Sequence, residues 1–193
     1  MKDLVEIRWH GRGGQGAKTA ALLLADAALA SGKYVQAFPE YGPERMGAPV
    51  ASFNRLSAKP ILLHSGVTNP QIVIVLDPTL VDSVDVTEGV PQDGTIIVNT
   101  EKSPADISKS LGITGSIKVF TVDASRISTE TIGRDIPNTP MLGALIKATA
   151  ILDFKEMLED TKKKLEKKFR TKPEVIEGNI KAIERAYAEV KSQ

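Results

Sequence analysis

Residues 4–9 alternate apolar and charged side chains, the period-two pattern of a half-buried β-strand. His10-Gly-Arg-Gly-Gly-Gln-Gly16 then breaks the pattern. A helix is predicted over 17–30, closed by Gly32. That helix is rich in Ala and Leu, with Lys18, Thr19 and Asp26 as its clearly polar positions. A helix apolar nearly all round is normally covered on more than one side.

Further strands are predicted over 34–38, 50–56, 72–76, 95–99 and 118–122. Ile72-Val-Ile-Val-Leu76 is a continuous apolar run, the pattern of a central parallel strand buried on both faces. Pro39-Glu-Tyr-Gly-Pro-Glu-Arg-Met-Gly-Ala-Pro49 is too rich in Pro and Gly for a regular element.

The remainder reads as helical. Asn138-Thr-Pro-Met141 places a cap and a Pro ahead of an apolar helix to about residue 152. Another helix starts at Asp153 and carries Lys162-Lys-Lys164 and Lys167-Lys168, read as its solvated face. Thr171-Lys-Pro-Glu174 has the form of a capping box. Behind it Ile176, Ile180, Ile183, Tyr187 and Val190 predict one apolar stripe. Strands alternating with helices, followed by terminal helices, argue for an α/β fold: a three-layer, Rossmann-like domain with a mostly parallel sheet. It is expected to span 1–193 as one unit, with 153–193 a helical C-terminal extension packed on it.

Composition narrows the chemistry. The 193 residues carry a formal net charge of +1, which offers no electrostatic footprint for nucleic acid or an anionic membrane. No apolar run approaches membrane-spanning length and the N-terminus lacks a signal-peptide pattern, so a cytoplasmic location is expected. The chain has no cysteine, which removes thiolate metal sites, self-held iron–sulfur clusters and a cysteine nucleophile. His10 and His64 are too few for a histidine-rich metal site. His10 is read as a satisfied structural residue, and no catalytic residue is assigned.

Gly11-Arg12-Gly13-Gly14-Gln15-Gly16 matches G-x-G-x-x-G between a strand and a helix. Glycines permit positive φ and close backbone approach, so several N–H groups would face one anion at the positive end of the helix. A tight turn with close packing is the alternative. A dinucleotide fold wants an acid at the end of the second strand, and Glu40 lies about four residues late for it. A nucleotide triphosphatase loop is one residue away, but Ala17 intervenes before Lys18 and turns the lysine aside. Glu44 and Arg45 sit in the second Gly/Pro-rich loop. In a doubly wound sheet such loops share one crevice with the glycine loop. Arg12 and Arg45 would suit phosphate or carboxylate groups, and an Arg45 ion pair with Glu44 or Glu40 is an equal reading.

These motifs together resemble the gamma subunit, or gamma domain, of the 2-oxoacid:ferredoxin oxidoreductases. The resemblance rests on the G-x-G-G-Q-G loop at 11–16 and on Tyr41-Gly-Pro-Glu-Arg45, which continues Met-Gly-Ala-Pro-Val50. Asn138-Thr-Pro-Met-Leu-Gly143 and Glu174-Val-Ile-Glu-Gly-Asn179 extend it over essentially the whole chain. The Arg-Met-Gly-Ala-Pro ending resembles the pyruvate (pyruvate synthase) and 2-oxoisovalerate branches.

The resemblance implies oxidative decarboxylation of a 2-oxoacid with coenzyme A, giving acyl-CoA, carbon dioxide and reduced ferredoxin, or the reverse reaction. Thiamine diphosphate, Mg2+ and [4Fe-4S] clusters would then lie on partner alpha, beta and delta subunits, with ferredoxin engaged through the complex. The role left to this chain is architectural, with Gly11, Arg12, Gly13, Gly14, Gln15, Gly16, Glu44 and Arg45 as a candidate part of a coenzyme A site. A stand-alone nucleotide-binding protein using the same loop is the reading from a different class.

Overall fold

In a computed structural model, residues 4–40 and 47–193 are described. They form a seven-stranded sheet in the order β2-β3-β1-β4-β5-β6-β7. The strands are β1 (Leu4–Arg12), β2 (Tyr34–Glu40), β3 (Pro49–Ser57), β4 (Ile72–Val75), β5 (Thr95–Asn99), β6 (Lys118–Val122) and β7 (Lys191–Ser192). β1, β4, β5 and β6 are parallel neighbours. β3 runs antiparallel to both β1 and β2, so β2 points the same way as β1. The sheet is therefore mixed but mostly parallel, as its alternating pattern predicts.

The strands' side chains sort onto two faces. Ile7, Trp9, Ile72, Ile74, Leu76, Ile97 and Val122 point to one face, where they meet α1 (Ala17–Ala30), α3 (Ala124–Ile132), α4 (Asn138–Thr149), α5 (Phe154–Lys168) and α6 (Pro173–Glu189). Val73, Val75, Ile96, Val98 and Val119 point to the other, with Leu80 of a 3-10 turn and Ile107 of α2 (Pro104–Ser110). β4 is buried at every position, which is why its sequence shows no alternation. On the first face Trp9 is fully buried, and its indole Nε1 donates to Asn54 Oδ1 at 2.8 Å. Asn54 Nδ2 in turn donates to the Ala21 carbonyl at 2.8 Å, joining β1, β3 and α1 through one satisfied polar pair.

The helical layer departs from the sequence pattern in three places. The α6 residues that are fully buried are Gly178, Asn179, Ala182, Ile183 and Ala186, while Ile176, Ile180, Tyr187 and Val190 are partly buried on the flanks. Small side chains let backbones touch. A Cβ at Gly143 would lie 2.1 Å from the Ile183 carbonyl oxygen, and one at Gly178 would lie 2.4 Å from that of Thr131. The capping box at 171–174 does not form: α6 is capped at Lys172 without a side-chain bond, one residue past Thr171. α4 ends at Thr149 rather than 152, because Ala150 turns into the left-handed region at φ 50.

Gly143→Ala should therefore cost about 3 kcal/mol, at the upper end of overpacking, because a backbone carbonyl has no rotamer to yield with. Urea unfolding followed by Trp9 fluorescence would measure it, with the midpoint lowered and the slope unchanged.

Candidate functional site

The same-direction strands end on one edge of the sheet, and the connections after β1, β2 and β4 meet there. The β1–α1 turn is built on positive φ at Gly14 (φ 99) and Gly16 (φ 82). Gly16 is also sterically required: a Cβ would come 2.4 Å from Nδ2 of buried Asn138 at the start of α4. Asn138 is thus a wall of the glycine loop, and its Oδ1 accepts from the adjacent Thr139 N–H at 2.8 Å. It does not provide the helix cap its sequence position suggests; α4 has no side-chain cap. A contact between residues so far apart in the chain leaves no local signal.

The loop is held by side chains behind it. Arg12 N–H donates to Gln15 Oε1 at 2.8 Å, and Gln15 Nε2 donates to Asp77 Oδ2 at 2.6 Å. The other carboxylate oxygen of Asp77 accepts from the Thr79 N–H at 2.9 Å and the Thr79 hydroxyl at 2.6 Å. Arg12 Nε lies 3.3 Å from Asp77 Oδ2, and its Nη2 donates to Thr79 Oγ1 at 2.8 Å. Burial alone would raise the Asp77 carboxyl. The hydrogen bonds from Thr79 and Gln15, with the charge of Arg12, outweigh burial and hold it below the usual carboxylate range. Both carboxylate oxygens of Asp77 already accept hydrogen bonds from the protein itself, and Lys18 sits exposed on α1.

The second loop touches the first at its described end. Arg12 Nη1 donates to the Gly47 carbonyl at 3.1 Å, and the Gly13 N–H donates to the Ala48 carbonyl at 3.1 Å. Gly47 and Ala48 therefore lie directly against the glycine loop. Glu44 and Arg45 lie outside the described residues. Between the glycine loop and the ends of β2 and β3 runs a cleft of about 390 Å³, lined among others by Gly13, Gly14, Lys18, Glu40 and Ser52. α1 begins there without a side-chain cap among the described residues and without an acid in its first turn, so its positive end faces the cleft.

His10 departs from the satisfied histidine expected of it. It is buried on the second face of β1, and its Nε2 has no hydrogen-bond partner. Burial, reinforced by the neighbouring Arg8 cation, pushes its pKa down to about 4, against a weaker opposing pull from Asp85. Arg8 itself is occupied by the carbonyls of Val86 at 3.1 Å and Glu88 at 2.8 Å. Among the described residues no group of three or more His, Asp or Glu side chains could hold a metal ion. Nor is any described helix long and apolar enough to cross a membrane.

Fold and crevice together define an α/β protein whose strand-edge glycine loop is shaped for close approach of a ligand or of neighbouring backbone. The comparisons narrow that class. Residues 6–189 match the family model described as pyruvate ferredoxin/flavodoxin oxidoreductase, and the chain belongs to that family. It is 50% identical over 192 residues to the pyruvate synthase subunit PorC of Thermotoga maritima, covering 98% of this chain and 96% of the relative. It is 50% identical over 154 residues to the pyruvate/ketoisovalerate oxidoreductases common subunit gamma of Pyrococcus abyssi, covering 80% of this chain and 83% of the relative. The crystal structure of pyruvate oxidoreductase subunit PORC from Thermotoga maritima superposes with a TM-score of 0.86 at 47% identity. That match covers 100% of this chain and 99% of the other.

The His10 shift gives a signed pH dependence. The folded state resists protonation that the unfolded chain accepts near pH 6.5. The contribution is therefore complete above pH 6.5 and is lost as pH falls toward about 4. His10 should account for about 3 kcal/mol of lost stability over that window. The check is urea unfolding between pH 7 and 4, in which His10→Leu should show a distinctly flatter decline than the parent chain.

Proposed function

We propose that this chain is the gamma subunit of a multi-subunit pyruvate:ferredoxin oxidoreductase. In that assembly pyruvate, coenzyme A and oxidised ferredoxin become acetyl-CoA, carbon dioxide and reduced ferredoxin, and the reaction also runs in reverse. The chain's part is to shape the assembly and to supply backbone N–H groups and the Arg12 guanidinium to the pyrophosphate of coenzyme A. Companion alpha, beta and delta chains carry thiamine diphosphate with Mg2+, which supplies the carbanion chemistry, and [4Fe-4S] clusters, which remove the electrons. A chain with no cysteine is suited to that division of labour, since it has no thiolate with which to hold a cluster.

The observation that carries the coenzyme A reading is the uncapped start of α1 behind two positive-φ glycines, beside Arg12, in an open cleft. Backbone N–H groups at a helix start are suited to a phosphate oxygen. Glu44 and Arg45, which lie outside the described residues, belong to the proposed site by their place in the sequence after β2. The same anion site would serve a stand-alone nucleotide-binding protein. Family membership favours the subunit.

The name of the Pyrococcus abyssi relative favours a second substrate, 2-oxoisovalerate, processed by a complex that shares this gamma chain. Assays of the native complex with pyruvate and with 2-oxoisovalerate would separate the two. A brown preparation containing iron–sulfur chains is expected on purifying the native protein; a colourless monomer retaining nucleotide would remove the subunit reading.

The coenzyme A role is tested by titrating the complex with coenzyme A by calorimetry, using Gly14→Asp and Gly14→Ala. Both carry the same backbone strain at φ 99, and a Cβ there has open space. Only the aspartate adds charge, so its affinity should be at least 10-fold below that of the alanine variant, a difference of about 1.4 kcal/mol. Equal affinities would take the loop out of coenzyme A binding.

A further inference from the structure

The order in which amide and carboxylate are stacked behind the glycine loop is not symmetrical. The Arg12 backbone N–H can only donate, and the Asp77 carboxylate at its lowered pKa can only accept. Between them Gln15 has one permitted orientation, with Oε1 toward the loop backbone and Nε2 toward Asp77. A neutral amide therefore faces the loop, and the negative charge is held one layer back, at the end of β4. Exchanging the two groups would preserve the hydrogen bonds that join the Arg12 N–H, position 15, position 77 and Thr79, and the net charge, while moving the carboxylate into the loop and away from Arg12 Nε.

We propose that Asp77 is the positioning residue that sets the loop's preference for anions, acting through Gln15 and Arg12. This rests on the reading of the loop as a coenzyme A pyrophosphate site, and extends it to a residue outside the loop and its motif. Asp77 does two separable things. Its hydrogen bonds with Thr79 and Gln15 fix the loop to the end of β4. Its charge holds Arg12 beside the loop mouth, where the guanidinium is partly exposed and also bonded to Thr79 and Gly47. Keeping the carboxylate behind Gln15 prevents it from repelling a phosphate while still supplying the counter-charge that positions Arg12. In Rossmann-like sheets a crevice at the strand carboxyl ends is the usual ligand seat, and Asp77 terminates the strand next to the glycine turn in that crevice.

The proposal predicts different behaviour for stability and for binding. Asp77→Asn replaces an acceptor with an amide N–H₂ facing Gln15 Nε2 and Arg12 Nε. Donor then meets donor, and the melting temperature should fall. The double variant Gln15→Glu/Asp77→Asn restores donor–acceptor matching between positions 15 and 77, leaving only Arg12 Nε without its carboxylate at position 77, so the melting temperature should recover most of the loss. Its carboxylate now lies in the loop. Affinity of the complex for coenzyme A, and for inorganic pyrophosphate as a minimal probe, should stay at least 10-fold below that of the parent. Full recovery of affinity together with stability would overturn the proposal and leave Asp77 as a structural brace. No loss of either quantity in Asp77→Asn would overturn it as well. A parent complex that binds neither probe would instead defeat the coenzyme A reading, and this inference with it.

Discussion

A carboxylate at the end of a buried strand must find donors or lose its charge, and the way Asp77 meets that demand organises the functional edge of this molecule. Thr79 turns the chain back over it, Gln15 reaches it from the glycine loop, and Arg12 comes from the end of β1. Two segments far apart in sequence, 12–15 and 77–79, are thereby tied to one charge. The glycine loop keeps its shape because its side chains, with the N–H groups of Arg12, Gly13 and Gln15, bond within the loop and to the framework.

The helical layer reaches the same edge by a different kind of constraint. Gly143 and Gly178 bring helices into backbone contact, and Asn138 at the head of α4 closes against Gly16. The β1–α1 turn is thus pressed from the side by α4 and anchored from below by Asp77. Glycine at position 16 answers both to its own φ and to the amide of Asn138. Trp9 and Asn54 complete the support by bonding β1 and β3 to α1.

Local pattern made much of this fold legible. The alternation in β1, the apolar run of β4 and the strand–glycine–helix punctuation are consequences of side-chain direction and backbone freedom, and both are written residue by residue. What stayed hidden depends on partners distant in sequence. The antiparallel placing of β3 between β1 and β2 follows from pairing. The buried floor of α6 is made of Gly, Asn and Ala beside its Ile stripe, because a neighbouring helix comes closer than hydrophobicity alone implies. His10 had a readable position but not a readable partner, and none is present for its Nε2. Asp77 follows directly on the apolar run 72–76, and nothing in that run signals its bond to Gln15. Glu44 and Arg45 lie outside the described residues.

The hairpin of β2 and β3 has a consequence for how chemistry is tuned at this edge. The two strands are zipped in register from Tyr34 against Ser57 to Glu40 against Ala51, and β3 is paired to β1 on its other side. Main-chain bonds alone therefore bring the two strand ends, Glu40 and Ala51, to the rim beside the glycine turn. Side chains at these ends can be exchanged without shifting where the backbone sits. A scaffold pinned by its main chain can in this way vary the lining of a cleft while the cleft stays in place.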